Sequence, residues 1–246
     1  MTRPAERTQA FVLRATDYRD ADRIVTLLTR RFGRIGAIAR SARRSRKRFG
    51  GRLEACMHLD VGLQMGRGDL ATLTDANVLD AHLGILQALP RMRAAGAGLE
   101  LVRLVAPENA EDARLFDTLA DYLRLLETLE PDHAPSAVLA FSARALALAG
   151  LTPGLDVCGV SGRRCPADQS AFFDPGRGTI VSRAHGGGPF LLAASTRAQL
   201  VRGLGADWQH ARFGTSERRE ASEAIWAFVS VHVGKELSGA WRAVVR

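Results

Sequence analysis

Residues 59–70 read Leu59-Asp60-Val61-Gly62-Leu63-Gln64-Met65-Gly66-Arg67-Gly68-Asp69-Leu70. Apolar side chains alternate with polar or small ones as far as Met65, and this period of two is typical of a strand with one buried face. The Gly-Arg-Gly-Asp segment predicts a turn, and residues 70–79 return as a second strand. The stretch therefore predicts a β-hairpin whose first strand extends from Leu53 to Met65.

Three more strands are predicted before this hairpin. Phe11-Val12-Leu13 opens one, residues 23–29 are rich in β-branched side chains, and residues 33–40 form a short strand whose glycines permit a sharp bend. Five short strands joined by tight turns and one basic loop are typical of a small closed barrel. We therefore predict an α+β protein with a five-stranded OB-fold barrel at residues 1–81.

From about residue 82 the apolar period becomes helical. One predicted helix spans about residues 112–129, because Leu115, Leu119, Tyr122 and Leu126 fall on a single face. Further helices are predicted at residues 94–105, 136–148, 196–204 and 216–233, and residues 152–189 form a loop-rich insert. The sequence predicts a helical domain over residues 82–246 that includes this insert.

The formal net charge of +8 is concentrated in the first third of the chain. Residues 1–80 contain 16 Lys and Arg against 9 Asp and Glu, whereas residues 81–246 contain 18 against 17. Between Arg31 and Arg52 there are nine basic residues and no acidic one. A surface that is merely solvated has acids interspersed, as the rest of the chain does. The run therefore predicts a site for a polyanion, above all a nucleic acid.

The run lies between two predicted strands, so we expect it to be a loop. Phe49 near its end has two interpretations: it stacks on a base, or it packs against the core at the base of the loop. Gly50-Gly51 permits a close approach of the backbone to a bound strand. The predicted nucleic-acid-binding residues are Arg34, Arg40, Arg43, Arg44, Arg46, Lys47, Arg48, Phe49, Arg52 and Arg67. Nothing in the run reads base edges, so no sequence specificity is expected.

A second group of residues in the insert resembles a damaged metal site. Cys158-Gly159-Val160-Ser161 and Ser182-Arg183-Ala184-His185 have the outline of two zinc knuckles, but serine is a poor zinc ligand. Cys158, Cys165 and His185 remain as an incomplete ligand set. The alternative is a metal-free loop held by packing, and we predict no metal and no cofactor. Cys56, in a predicted strand, is interpreted as a small buried hydrophobe.

No motif for a chemical reaction is present in the sequence. There is no Walker-type loop, no His-Glu-x-x-His, no nucleophile elbow and no cluster of acids for paired metals. We expect a binding protein that is not an enzyme and has no small-molecule substrate. No apolar run approaches the roughly 20 residues that span a bilayer, and no signal sequence is found. The three cysteines cannot all form disulfides with one another, which fits a reducing compartment. Together these features predict a cytoplasmic protein without membrane association.

The segment from Ala39 to Glu54 resembles the basic segment of the RecO family of bacterial recombination mediators. Similar features are the Phe11–Thr29 pattern with Tyr18, Asp20 and Asp22, the Ala147-Leu148-Ala149-Gly150-Leu151-Thr152-Pro153 stretch before the cysteine region, and the segment from Phe228 to Gly234. The resemblance covers nearly the whole chain in order. It implies an N-terminal OB fold and a C-terminal helical domain that in many members carries a Cys₄ zinc knuckle. Here Cys158 matches a first ligand, Ser161, Ser182 and His185 replace the others, and Cys165 is offset.

The resemblance also implies a role in DNA repair and homologous recombination at the nucleoid. Proteins of this kind bind single- and double-stranded DNA and anneal complementary strands. They engage the single-stranded-DNA-binding protein and, with RecR, help to load the recombinase onto coated strands. A groove in the nearly neutral, Leu- and Ala-rich helical domain would suit the tail of such a partner. Two other classes stay open: an RNA-binding OB-fold protein in translation or RNA processing, and a zinc-dependent enzyme acting on nucleic acid.

Overall fold

The computed structural model describes residues 4–45, 47–66 and 68–245. The chain forms two compact units. The barrel unit contains the residues up to 86 together with 106–127, and the helical unit contains residues 87–105 together with those from 128 onwards. The boundary between residues 81 and 82 stays a prediction, and the segment 106–127 belongs to the same compact unit as the barrel.

Five strands form a closed barrel, which confirms the predicted OB fold. They are β1 (Glu6–Tyr18), β2 (Asp22–Thr29), β3 (Gly33–Ala39), β4 (His58–Gln64) and β5 (Leu70–Asp80). The strand order is β1-β2-β3-β5-β4, and the sheet closes through the pairing of β4 with β1. Every pairing is antiparallel except that of β3 with β5, which is parallel. The long β3–β4 connection that this topology requires is the basic run.

The alternation that predicts β4 places its apolar residues in the barrel. Leu59, Val61 and Leu63 are fully buried in the core. The prediction that this strand begins at Leu53 is wrong, because residues 53–57 form a turn in which Cys56 has a φ of 71°. Cys56 therefore lies in this turn and not in a strand. It is half-buried, and burial raises the pKa of its thiol to about 12.

Strand β1 is covered on both of its faces at residues 10–13, which explains why four consecutive apolar residues are found there. Val12 points into the barrel core, whereas Phe11 packs on the outside against Phe116, with ring centroids 4.9 Å apart. Phe116 belongs to helix α2 (Ala113–Thr128) of the same unit. The segment before α2 approaches the start of β3 so closely that a Cβ on Gly33 would lie 1.9 Å from a carbonyl oxygen of Ala110.

The helical unit contains the other helices. They are α1 (Leu89–Val105), α3 (Ala134–Leu148), α4 (Ala194–Leu204), α5 (Thr215–Val233) and α6 (Gly239–Val245). Helix α3 is buried over most of its length and packs against α1, α4 and α5. The helices predicted from periodicity are present, and α1 begins five residues earlier than expected. Helix α6 was not expected from the sequence.

The insert at residues 152–189 is less irregular than predicted. It contributes to a three-stranded antiparallel sheet of β6 (Ala171–Asp174), β7 (Thr179–Val181) and β8 (Phe190–Leu192), with β6 in the centre. Short 3₁₀ turns occur at residues 83–87, 131–133, 183–185 and 208–210. Across the described part of the chain, no helix combines the length and apolarity needed to cross a membrane.

Candidate nucleic-acid interface

The basic loop, residues 40–52, connects β3 to the turn before β4. Its backbone is folded by hydrogen bonds in which Ser45 N donates to Ser41 O (2.9 Å) and Phe49 N donates to Ser45 O (3.2 Å). Ala76 N in β5 donates to Arg48 O at 3.3 Å, which ties the loop to the barrel wall. The basic loop therefore has a folded backbone that is hydrogen-bonded to the barrel. Two of the predicted binding residues, Arg46 and Arg67, lie outside the described residues.

Phe49 belongs to the barrel core. Its side chain is 1 % exposed and packs in the same apolar cluster as Ala42 and Leu53. The guanidinium of Arg48 lies 5.1 Å from the centre of its ring. The prediction that Phe49 stacks on a base is therefore wrong for this conformation, because neither face of a buried ring is open to a base. The alternative interpretation, packing at the base of the loop, is confirmed.

Three of the loop's cations shape the loop itself. Arg43 donates to Asp20 O (3.4 Å) and lies 3.7 Å from a carboxylate oxygen of Asp17. Arg48 donates to Arg40 O at 3.1 Å, and Arg52 donates to Ala76 O at 2.9 Å. These arginines donate to backbone carbonyls of the hairpin turn, of the loop itself and of β5. Their charge still contributes to the local field, but their hydrogen-bonding capacity is partly used.

Arg40, Arg44 and Lys47 form the free part of the loop. All three are exposed, and within the described residues their charged groups have no hydrogen-bonding or ionic partner. The nearby carboxylates of Asp17 and Glu54 are engaged by Arg23, at 2.9 and 2.8 Å. Three uncompensated cations on a short surface loop produce a local positive potential that attracts phosphate groups.

Arg34, predicted to join this surface, is used elsewhere. It lies on β3, half-buried, and donates to Ala106 O at 3.1 Å while pairing with Glu108 at 2.7 Å. The structure therefore separates Arg34 from the free cations of the basic loop. Beside the loop lies an open cleft of about 670 Å³, whose lining includes Arg23, Arg43 and Gly50-Gly51.

The tip of the β1–β2 hairpin lies against the basic loop, which the sequence did not indicate. Ser41 N donates to an Asp22 carboxylate oxygen at 2.7 Å, and Arg43 N donates to Ala21 O at 3.0 Å. Tyr18 ends β1 at this tip and is 38 % exposed. In the sequence, the feature that could have indicated this exposed ring is an aromatic residue directly before a polar turn in a basic domain.

Comparison with known proteins assigns both parts of the chain. Residues 1–82 match the family model described as Recombination protein O N terminal, and residues 86–239 match Recombination protein O C terminal. The chain is 36 % identical to "DNA repair protein RecO" of Anaeromyxobacter sp. (strain Fw109-5), over 93 % of this chain and 91 % of that protein. It is 34 % identical to the protein of the same name from Frankia casuarinae, over 95 % of this chain and 96 % of that protein. The chain belongs to the RecO family.

The RecO resemblance implies a zinc knuckle in the insert, but the donor groups there are hydrogen-bonded to one another. Ser182 N donates to Cys158 Sγ at 3.3 Å, and Ser182 Oγ lies 2.7 Å from His185 Nδ1. Hydrogen bonds from Ser161, Ser182 and Val160 lower the pKa of the Cys158 thiol to about 6. Cys158, Cys165 and His185 do not converge into a three-ligand group in the described residues. This RecO chain therefore links the knuckle positions by hydrogen bonds, and its donor set does not fit zinc.

One group in the described residues does place three ligand-type atoms within 4.8 Å of each other: Asp80, His82 and Glu127 of the barrel unit. His82 is 2 % exposed, and its Nδ1 lies 2.9 Å from Glu127 Oε2. The other carboxylate oxygen of Glu127 accepts a hydrogen bond from Gly84 N at 3.2 Å. Both oxygens are thus engaged, and the group joins the end of β5 to α2 as a buried polar contact.

Proposed function

We propose that this RecO-family protein acts in DNA repair and homologous recombination by binding DNA through the basic loop, without catalysing a reaction. The single observation that carries the proposal is the set of exposed cations Arg40, Arg44 and Lys47, whose charged groups have no partner in residues 4–45, 47–66 and 68–245. Family membership supplies the biological setting, because the curated relatives are named DNA repair proteins. Arg43, Arg48 and Arg52 add charge from the same loop.

The proposed mechanism is electrostatic. Each cation that meets a phosphate releases condensed counterions, so the affinity falls as a power of the salt concentration. Neutralising phosphates also weakens the repulsion between two strands, which favours annealing of complementary sequences. Because the loop reads no base edges, the binding is independent of sequence. In this proposal the protein brings strands together and helps to load the recombinase onto protein-coated single strands.

The proposal includes two protein partners implied by the family resemblance, the single-stranded-DNA-binding protein and RecR. In the helical unit, a groove of about 580 Å³ between α1 and α6 is lined by small residues such as Gly96 and Ala97. Arg93 and Glu100 are also in its wall, and both carboxylate oxygens of Glu100 accept hydrogen bonds from Ser238. A small-residue groove with a cation suits an apolar segment that ends in a carboxylate. A labelled C-terminal peptide of the single-stranded-DNA-binding protein is expected to bind, and Ala97→Trp is expected to abolish that binding.

The decisive experiment compares two charge reversals of equal size. Arg40→Glu/Arg44→Glu/Lys47→Glu removes the free cations of the basic loop. Arg163→Glu/Arg164→Glu/Arg202→Glu changes three exposed arginines of the helical unit that have no side-chain partner within the described residues. In fluorescence anisotropy at low salt, the loop variant is expected to lose at least about 100-fold in affinity for labelled single strands, and the control much less.

Circular dichroism and the thermal midpoint are expected to match wild type in both variants, because none of the six residues is buried. Equal losses in both variants would show that overall charge, not the loop, determines binding. Annealing of complementary labelled strands is expected to fail in the loop variant alone. A competition in which RNA displaces DNA at far lower concentration would favour the RNA-binding class instead, and cleavage of the labelled strand would favour an enzyme.

A further inference from the structure

With Phe49 buried, the basic loop itself offers no ring on which a base can stack. Of the aromatic side chains that the structure describes, Tyr18 alone is exposed, with 38 % of its surface accessible. The second tyrosine, Tyr122, is fully buried. An exposed ring on a nucleic-acid-binding barrel is suited to stacking on a base, because every base has a flat π-face.

Tyr18 is held at a defined place. It pairs with Asp22 at the end of the β1–β2 ladder, and the turn between them begins with Arg19, whose φ is 51°. In this left-handed conformation the guanidinium of Arg19 lies 5.2 Å from the centre of the Tyr18 ring. A guanidinium over an aromatic ring is an attractive cation–π contact. It orients the ring, and 38 % of the surface of Tyr18 remains accessible.

The hairpin tip that carries Tyr18 is connected to the basic loop by three hydrogen bonds. Ser41 N donates to an Asp22 carboxylate oxygen, Arg43 N donates to Ala21 O, and the Arg43 guanidinium donates to Asp20 O, at 2.7, 3.0 and 3.4 Å. The exposed ring and the free cations therefore belong to one connected surface. A strand whose phosphates meet the loop passes within reach of the tip.

The charges at the tip select a base rather than a phosphate. Residues 17–23 contain three aspartates, Asp17, Asp20 and Asp22, against two arginines, Arg19 and Arg23. This local balance does not attract an anion, whereas an uncharged flat ring is unaffected by it. In a duplex, bases are stacked on each other and paired, so their faces are not available. The ligand that fits Tyr18 is an unpaired base.

Resting on the proposed function, we propose that Tyr18 stacks on an unpaired base of a DNA strand whose phosphates lie on the basic loop. The stacked ring gives the barrel a preference for single strands that the cations alone do not provide. Stacking contributes independently of base identity, so the preference is for unpaired bases and not for a sequence.

The test measures binding of the full-length protein to three labelled ligands of equal length: a single strand, the same strand with abasic sites, and a duplex. Tyr18→Ala is expected to weaken binding to the normal strand about tenfold. Binding to the abasic strand and to the duplex is expected to stay within about twofold of wild type. Tyr18→Phe retains the ring and is expected to bind like wild type, whereas Tyr18→Leu retains apolar bulk without a flat ring and is expected to behave like alanine.

Equal weakening of all three ligands by Tyr18→Ala, or no weakening, overturns the stacking proposal. If Tyr18→Leu binds the single strand as tightly as wild type, the proposal is also overturned, because apolar bulk without a flat ring would then be enough for binding. The triple variant Arg40→Glu/Arg44→Glu/Lys47→Glu is measured in parallel. It distinguishes failure of the stacking proposal from failure of the proposed function. If the loop variant loses all three ligands while Tyr18→Ala changes nothing, only the stacking proposal fails. If the wild-type protein binds none of the three, the proposed function fails.

Discussion

The basic loop of the barrel unit and the insert of the helical unit are both long connections, but different side chains fix them in place. In the basic loop, Ala42 and Phe49 are buried in the barrel core, and three arginines donate to backbone carbonyls. Three other cations of the loop keep their charged groups in solvent, without a partner among the described residues. The insert is fixed by a buried cation that follows it in the sequence.

That cation is Arg197 of α4, which is 3 % exposed. Its guanidinium donates to Leu155 O at 2.8 Å, to Pro166 O at 3.0 Å and to Gln169 O at 2.5 Å. Pro166 and Gln169 flank one turn, and Leu155 lies in an earlier segment of the insert, so one side chain joins the two segments. An arginine whose donors are already engaged, as in Arg197, has little capacity left for a phosphate, so the number of arginines in a segment does not by itself predict a DNA-binding site.

The largest effect that tests this comparison is expected from Arg197→Met. It removes the guanidinium from the buried carbonyl of Leu155 and from the partly buried carbonyls of Pro166 and Gln169, and we expect the free energy of unfolding to fall by about 3 kcal/mol in a denaturant titration. Arg202→Met, on the exposed side of the same helix, is the matched control and is expected to change stability by less than about 0.5 kcal/mol. Similar stability of the two variants would contradict the assigned role of Arg197.

The second effect concerns salt. Arg40→Gln/Arg44→Gln/Lys47→Gln removes three proposed phosphate contacts without introducing repulsion. The slope of log affinity against log salt concentration for single strands is expected to become shallower by about 2, since each contact contributes about 0.7. Arg163→Gln/Arg164→Gln/Arg202→Gln is expected to leave the slope unchanged. If both triple variants change the slope equally, the distinction between loop and insert does not hold for DNA binding.

A third experiment asks whether the insert can exchange its hydrogen bonds for a metal. Ser161→Cys/Ser182→Cys supplies, with Cys158 and His185, the three thiolates and one imidazole of a structural zinc site. The variant is expected to bind one equivalent of zinc by elemental analysis, and a chelator is expected to lower its thermal midpoint by about 3 °C. Wild type is expected to bind none and to ignore the chelator. Stoichiometric zinc in wild type would show that the hydrogen-bonded arrangement is not its resting state.

The smallest effect concerns Asp174 in the β6–β7 turn, which pairs with Arg177 at 2.5 Å. Burial raises the pKa of Asp174, but hydrogen bonds and charge from Arg177 outweigh it, so the pKa lies below its ordinary value of 3.8. The ion pair therefore stabilises the fold above that value and is lost as the pH falls through the lower, folded-state pKa. Asp174→Asn is expected to cost up to about 1 kcal/mol at neutral pH, and this cost is expected to disappear as the pH falls through the folded-state pKa. A cost that is independent of pH would contradict this account.

The sequence predicted those features of the fold and site that depend on neighbouring residues. Strand β4 follows from its period of two, β2 from its β-branched residues and β5 from the turn before it, and the basic loop follows from a run of charge without acids. The β6–β7 hairpin also had a local signal, because Asp174-Pro175-Gly176-Arg177-Gly178 lies between Phe-Phe and Thr-Ile-Val. Its strands of four and three residues are too short to show a period.

Other features depend on partners distant in sequence and left no local pattern. The helix of Arg197 resembles any amphipathic helix, and the carbonyls that its guanidinium binds lie 28 to 42 residues earlier. The removal of Arg34 from the predicted surface depends on Glu108, which follows a helix of the other unit. The exposure of Tyr18 and the burial of Phe49 are decided by how two loops meet, not by the identity of their neighbours.

The packing of α2 on the outside of β1 has a consequence for how the protein can be divided. The family models end their first part at residue 82, yet the outward side chain of Phe11 is covered by Phe116, which the chain supplies only after it has built α1. A gene fragment that ends at this junction would encode a barrel with an exposed apolar face around Phe11. Such a face is expected to promote self-association. The part of the chain that the first family model matches is therefore shorter than the part that must be expressed to keep Phe11 covered.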